Sequence, residues 1–204
     1  MWIKICGLTT AAAVEAALAA GVDAIGFVFA ASPRQLSPQA AVALARPARG
    51  RLRCVAVMRH PSQPEVDEVV DTFRPDLLQS DATDLSALRL PPGLERLPVL
   101  RQGEPPPMAL PPRVLFEGPA SGSGTPSDWQ AARMLARRTQ VILAGGLNAA
   151  NVAAAIAAVA PFGVDVSSGV EERPGVKSAA RIAAFVNAVR TAAAAAVPAP
   201  GGLP

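Results

Sequence analysis

VILAGGLNAANVAAAIAAVAPFGVDVSSGVE, residues 141–171, reads as one strand–helix–strand unit. Val141–Ala144 is a continuous apolar run, as expected of a strand buried on both faces. Gly145-Gly146-Leu147 turns the chain into an alanine-rich helix over Asn148–Val159, and Val164–Ser167 supplies the next strand. Strands joined through a helix lie parallel in one sheet. The same alternation continues back to the first residues. Strands are predicted over Trp2–Cys6, Ala24–Phe29, Arg53–Met58, Asp76–Gln79, Leu97–Arg101 and Arg113–Glu117. Helices are predicted over Thr10–Ala20, Gln39–Arg46, Ser62–Phe73, Asp128–Arg138 and Ser178–Arg190, with a short one near Asp84–Leu88. Ser37-Pro38 gives an N-cap and a first-turn proline, and Val66, Val69, Val70 and Phe73 form one helical face. Between Gln102 and Pro112 prolines leave little room for a helix. Eight such units predict an α/β chain folded as a single (β/α)8 barrel over residues 1–190, with a shortened, proline-rich connection after strand five. Residues 191–204, alanines followed by Val-Pro-Ala-Pro-Gly-Gly-Leu-Pro, are expected to be a disordered tail.

The composition narrows the function. Of 204 residues, 50% are hydrophobic and 17% charged, with a net charge of +3, which excludes an intrinsically disordered chain. No apolar run reaches the roughly 18–20 residues of a membrane span, and the start lacks the apolar core of a signal peptide. A cytoplasmic protein without membrane partners is expected. The basic residues are scattered, and Arg46–Arg53 lacks interleaved aromatics, so no nucleic-acid partner is expected. Cys6 and Cys54 make neither a disulfide framework nor a metal site. With His60 the single histidine and no tyrosine, acid–base chemistry falls to a carboxylate, a thiol or a lysine. No large aromatic patch announces an interface, and a monomer is expected.

In such barrels the reactive groups stand at the C-terminal strand ends. Cys6-Gly7 closes strand one, and a thiol there is either a buried hydrophobe or a reactive group. Arg34, between Pro33 and Pro38 after strand two, suits a carboxylate clamp. Glu117 closes strand six before a Gly/Ser loop and is a candidate general acid, or a salt-bridged residue. Asp128 reads as a helix cap, and Asp165 as a residue packed against the barrel. Gly145, Gly146, Ser167, Ser168 and Gly169 form two small loops after strands seven and eight, where backbone N–H groups hold phosphate. Lys177 either helps neutralise phosphate or covers a helix end.

Together these loops resemble the phosphoribosylanthranilate isomerases. The resemblance rests on Lys-Ile-Cys-Gly-Leu-Thr at 4–9, Gly-Phe-Val-Phe and Ser-Pro-Arg within 26–34, and Gly-Ser-Gly with Asp-Trp within 122–129. Leu-Ala-Gly-Gly-Leu-Asn at 143–148, Gly-Val-Asp-Val-Ser-Ser-Gly-Val-Glu at 163–171 and Pro-Gly-Val-Lys at 174–177 complete it. It implies an Amadori rearrangement of N-(5-phosphoribosyl)anthranilate, a tryptophan-biosynthesis step, with Cys6 as general base, Glu117 as general acid and Arg34 on the anthranilate carboxylate. Neither a metal nor a cofactor is implied. Two departures stand out. Glu117 occupies the place where the family usually has aspartate, and strand four reads Gln79-Ser80-Asp81-Ala82 where the family tends to read Gln-Leu-His-Gly. Lys4 or Arg34 is expected to supply part of the field that lowers the thiol pKa, and strand alternation puts Lys4 on the face of Cys6. Two alternatives stay open: a non-catalytic phosphosugar-binding barrel, or an enzyme like indole-glycerol-phosphate synthase, which would want a lysine where Cys6 stands.

Overall fold

The computed structural model describes residues 1–105, 107–118 and 127–196. Eight strands close into a parallel barrel in sequence order: β1 Trp2–Cys6, β2 Ala24–Val28, β3 Arg53–Val57, β4 Leu77–Asp81, β5 Glu95–Arg101, β6 Arg113–Glu117, β7 Gln140–Leu143 and β8 Gly163–Val166. Closure runs through β1 and β8, where Lys4 stands opposite Asp165. The helices are α1 Ala11–Ala20, α2 Pro38–Ala45, α3 Gln63–Phe73, α4 Ala82–Ala87, α5 Trp129–Ala136, α6 Val152–Val159 and α7 Ala179–Ala196. Among the described residues no helix lies between β5 and β6.

Local signals set the helix starts. Thr10 accepts from the Ala13 N–H, Ser37 from Ala40, and Asp128 from Gln130 and Ala131. Ser62 and Glu65 form a reciprocal capping box before α3. Asp128 is thereby committed to its cap, as its position before Trp129 suggests.

Apolar residues sort into two cores. Ala24, Val55, Leu77, Leu97, Val99, Leu115, Ile142 and Ala144 point into the barrel. The larger core, including Ile5, Phe27, Leu78, Ile156 and Phe185, lies between the sheet and its helices. Burial on both sides explains why the strands read as unbroken apolar runs.

The structure departs from the sequence reading in two places. α7 continues through Ala196, so the alanine run expected to be disordered is helical as far as the description extends. Alanine is the strongest helix former, and the run extends a helix already anchored by Ile182, Phe185, Val186 and Val189. The rest of that tail, 197–204, lies outside the described residues. A small antiparallel hairpin, β9 Glu171–Arg173 with β10 Val176–Lys177, follows β8 and was not anticipated. Its turn carries Gly175 at φ +82°, and the Gly175 carbonyl accepts from Thr9 Oγ1 at 2.5 Å, tying the hairpin to the β1 loop.

Candidate active site

The inward-facing residues at the C-terminal strand ends surround one cavity of about 1080 Å³, a volume that includes its open mouth. Cys6, Arg34, Gln79, Asp81, Arg101, Glu117, Asp165 and the two glycine-bearing loops contribute to its wall. Cys6 from β1 and Glu117 from β6 thus share one chamber, the arrangement the strand-end reading called for.

Cys6 is buried beside a charged cluster. Lys4 is fully buried, and its Nζ donates to Asp165 Oδ1 at 2.9 Å. Gly26 on β2 leaves the room: a Cβ there would stand 3.1 Å from Lys4 Cε and 3.2 Å from Cys6 Sγ. Burial pushes the Cys6 thiol above its ordinary value; Lys4 and Lys177 pull it down, while Asp165 adds to the rise. The expected thiol tuning holds in part. Lys4 acts in the expected sense, Lys177 adds to it and the Arg34 guanidinium also feels the Cys6 charge, but desolvation outweighs these cations. For Lys4 itself burial is the largest influence and works to lower the pKa, yet Asp165 and Cys6 together leave it raised, so it stays charged. Lys4→Met is expected to move the Cys6 thiol to still higher pH, read by the pH dependence of iodoacetamide alkylation. It would also strand the buried Asp165 carboxylate, lowering stability by about 3 kcal/mol in denaturant titration.

Arg34 reaches the cavity, but its fork is engaged. Nε donates to Glu171 Oε1 at 2.7 Å and Nη2 to Glu171 Oε2 at 2.8 Å. Lys177 Nζ donates to the same Glu171 Oε1 at 2.7 Å, and to Ser167 O and Oγ at 3.0 and 3.2 Å. Burial would raise the Glu171 pKa, but hydrogen bonds and charge from Arg34 and Lys177 hold it below the usual carboxylate range. The Lys177 pKa is lowered, chiefly by burial. Ser167 Oγ donates to Cys6 O at 3.1 Å, so this cluster is wired to the β1 end.

The predicted phosphate loops meet as neighbours. Gly145 and Gly146 both have positive φ, +93° and +62°, which an L side chain resists. They line the cavity with Ser167 and Ser168. Gly169 serves differently: a Cβ there would lie 1.9 Å from the Leu147 carbonyl oxygen, so its missing side chain lets the two loops touch. Gly169→Ala is expected to force the loops apart, lower stability by about 1–3 kcal/mol and weaken inorganic-phosphate binding at least tenfold, measured by thermal melts with and without phosphate.

Arg101, Asp81 and Gln79 in the wall were not among the candidate site residues. Arg101 at the end of β5 donates from Nη1 to Glu117 Oε1 at 2.5 Å and from Nη2 to Asp81 Oδ1 at 2.6 Å. The salt-bridged alternative for Glu117 therefore holds alongside its place in the cavity. Arg101 shares its strand parity with Leu97 and Val99, which face inward, and that parity was the available signal. Gln79 is 6% exposed, and its Oε1 is buried without a hydrogen-bond partner among the described residues. The Gly/Ser loop after β6, residues 119–126, lies outside the described residues.

Comparison with known proteins bears on this geometry. The model of a family described as N-(5'phosphoribosyl)anthranilate (PRA) isomerase matches residues 3–188. An N-(5'-phosphoribosyl)anthranilate isomerase from Azorhizobium caulinodans is 40% identical over 215 residues, covering 96% of this chain and 94% of its own. The crystal structure of TrpF from Jonesia denitrificans superposes with a TM-score of 0.80 at 34% identity, covering 95% of this chain and 98% of that one. That of phosphoribosyl anthranilate isomerase from Thermus thermophilus gives 0.81 at 29%, covering 94% and 99%. The match spans all eight strands and both phosphate-loop candidates, and on that extent the chain belongs to the N-(5'-phosphoribosyl)anthranilate isomerase family.

Proposed function

We propose that this chain converts N-(5-phosphoribosyl)anthranilate to 1-(2-carboxyphenylamino)-1-deoxyribulose 5-phosphate, with Cys6 as general base and Glu117 as general acid. The observation that carries the proposal is the placement of a thiol and a carboxyl on β1 and β6, in the wall of one cavity. An aldose-to-ketose rearrangement needs both kinds of group within reach of one sugar.

In the first step the Glu117 carboxyl gives its proton to the furanose ring oxygen, the C1–O bond breaks, and the nitrogen lone pair forms the iminium. The Cys6 thiolate then removes the C2 proton, and that electron pair neutralises the iminium to give an enolamine. Tautomerisation moves a proton to C1 and yields the ketone. These steps use no metal or organic cofactor. Backbone N–H groups around Gly145, Gly146, Ser168 and Gly169 suit the 5-phosphate, with Lys177 the nearby cation and Ser167 linking it to β1. Arg34 would receive the anthranilate carboxylate at the Nη end that its fork to Glu171 leaves over.

Product analysis tests the reading against its alternatives. Wild-type protein mixed with freshly generated phosphoribosylanthranilate should yield the open-chain ketose, identified by mass and carbonyl carbon chemical shift. A pyrrole-ring product from that ketose would instead mark a synthase, and ligand-protected but unchanged substrate a binding barrel. The pairing of Lys4 with Asp165 beneath the thiol favours the isomerase over the synthase, whose lysine would have to reach substrate from this end of β1.

A further inference from the structure

β4, β5 and β6 end side by side on Asp81, Arg101 and Glu117, and the three side chains are 8%, 10% and 13% exposed. One guanidinium bridges two carboxylates, at 2.6 Å to Asp81 and 2.5 Å to Glu117. Burial works to lower the Arg101 pKa, but the hydrogen bond and charge of Asp81 and those of Glu117 leave it raised, so the cation persists. A cation in direct contact with a carboxyl favours its ionised form. A general acid must do the opposite and carry a proton into the reaction. Asp81 meets that conflict, because it offers Arg101 a second anion at the same distance.

We propose that Asp81 is a positioning residue for Glu117: by occupying the other arm of Arg101 it offsets the guanidinium charge, so that the Glu117 carboxyl is anchored in the cavity wall and still able to hold the transferable proton. The proposal rests on the reading of Glu117 as the acid. It also accounts for two features of this chain together. Glu117 is one methylene longer than the aspartate usual in the resembled family, and Arg101 fixes where that extra length puts the carboxyl. Asp81 stands where the family tends to carry histidine, and a neutral ring there would remove one of the anions that Arg101 contacts.

Among the described residues, other charged groups stand near this triad. Asp81 Oδ2 lies 3.7 Å from Nε2 of the exposed His60. The other His60 nitrogen, Nδ1, is 3.1 Å from Asp84 Oδ1, and Asp84 accepts from Ser80 Oγ at 2.7 Å. Lys4, Cys6 and Asp165 face the same barrel interior from β1 and β8. None of these replaces the contact between Asp81 and Arg101.

Asp81→Asn tests the assignment, since it keeps the shape and a carbonyl acceptor for Arg101 while removing the charge. Across the plateau of its pH profile kcat should fall about tenfold, because a carboxyl facing an unbalanced guanidinium is less often protonated when the Cys6 thiolate is present. KM should stay within about threefold, and kcat at the acidic end should approach wild type. Arg101→Lys, which keeps one charge but loses the fork, should lower that plateau far less than Asp81→Asn does. Thermal melts establish that each variant is folded. A second readout does not depend on turnover: with ¹³C-labelled glutamate, the Glu117 carboxyl should titrate about one unit lower in Asp81→Asn than in wild type. A folded Asp81→Asn protein whose Glu117 titration and kcat plateau are both unchanged overturns the proposal. An inactive wild type whose Glu117 titration shifts as expected would instead overturn the reading of the cavity as an isomerase site and leave the pairing intact.

Discussion

Cys6→Ala is expected to lower kcat/KM for phosphoribosylanthranilate by about 10²–10⁴-fold, the range over which a positioned general base accelerates proton transfer. The loss should fall on kcat, with KM little changed, because the proposed mechanism assigns the thiol to the C2 proton and other groups to the phosphate and the anthranilate carboxylate. Stability should change by no more than about 1 kcal/mol, since only one small side chain is removed from a wall that already faces solvent space. Cys6→Ser is the sharper version. It keeps the volume and a hydroxyl beside Lys4, but an alcohol ionises far less readily than a thiol, so the loss should be nearly as large. Burial raises the wild-type thiol pKa, so kcat/KM should climb toward alkaline pH as the thiolate forms. That rise should be absent in the residual activity of Cys6→Ala.

Glu117→Gln is expected to lower kcat by about 10²–10⁴-fold as well, with binding of the ketose product retained. The amide keeps a carbonyl acceptor for Arg101, so the wall should stay in place while the transferable proton is lost. Glu117→Asp separates position from chemistry. The shorter acid retains its proton but withdraws from the contact with Arg101, and a milder loss, about tenfold, is expected. Stopped-flow fluorescence with substrate generated in the syringe measures both variants. Retention of the wild-type rate in Glu117→Gln would reassign the acid.

The barrel was legible because its causes are local. The Gly145-Gly146 turn, the caps at Thr10, Ser37 and Asp128, and the two-sided apolar strands each follow from a few adjacent residues. Cys6, Glu117 and both phosphate-loop candidates were legible for a related reason, since strand ends in this fold converge on one mouth. What escaped was pairing across the barrel. Arg34 finds its partner 137 positions away, at Glu171, and Lys4 finds Asp165 161 positions away. No window of sequence brings such residues together. The direction of the Cys6 shift escaped for the same reason: a nearby lysine was visible in the sequence, whereas the burial that outweighs it is a property of the closed barrel. Arg101 was overlooked because an arginine closing a strand reads as a solvated charge until its parity with Leu97 and Val99 turns it inward.

The most direct test follows wild type and Cys6→Ala side by side, at equal concentration, on freshly generated phosphoribosylanthranilate, with the ketose quantified by mass spectrometry. Wild type should form it in multiple turnovers, well above the rate without protein, and Cys6→Ala should form about a hundredfold less or lower still. A wild type that yields no ketose, or a Cys6→Ala protein that makes it at the wild-type rate, would contradict the assignment of this cavity.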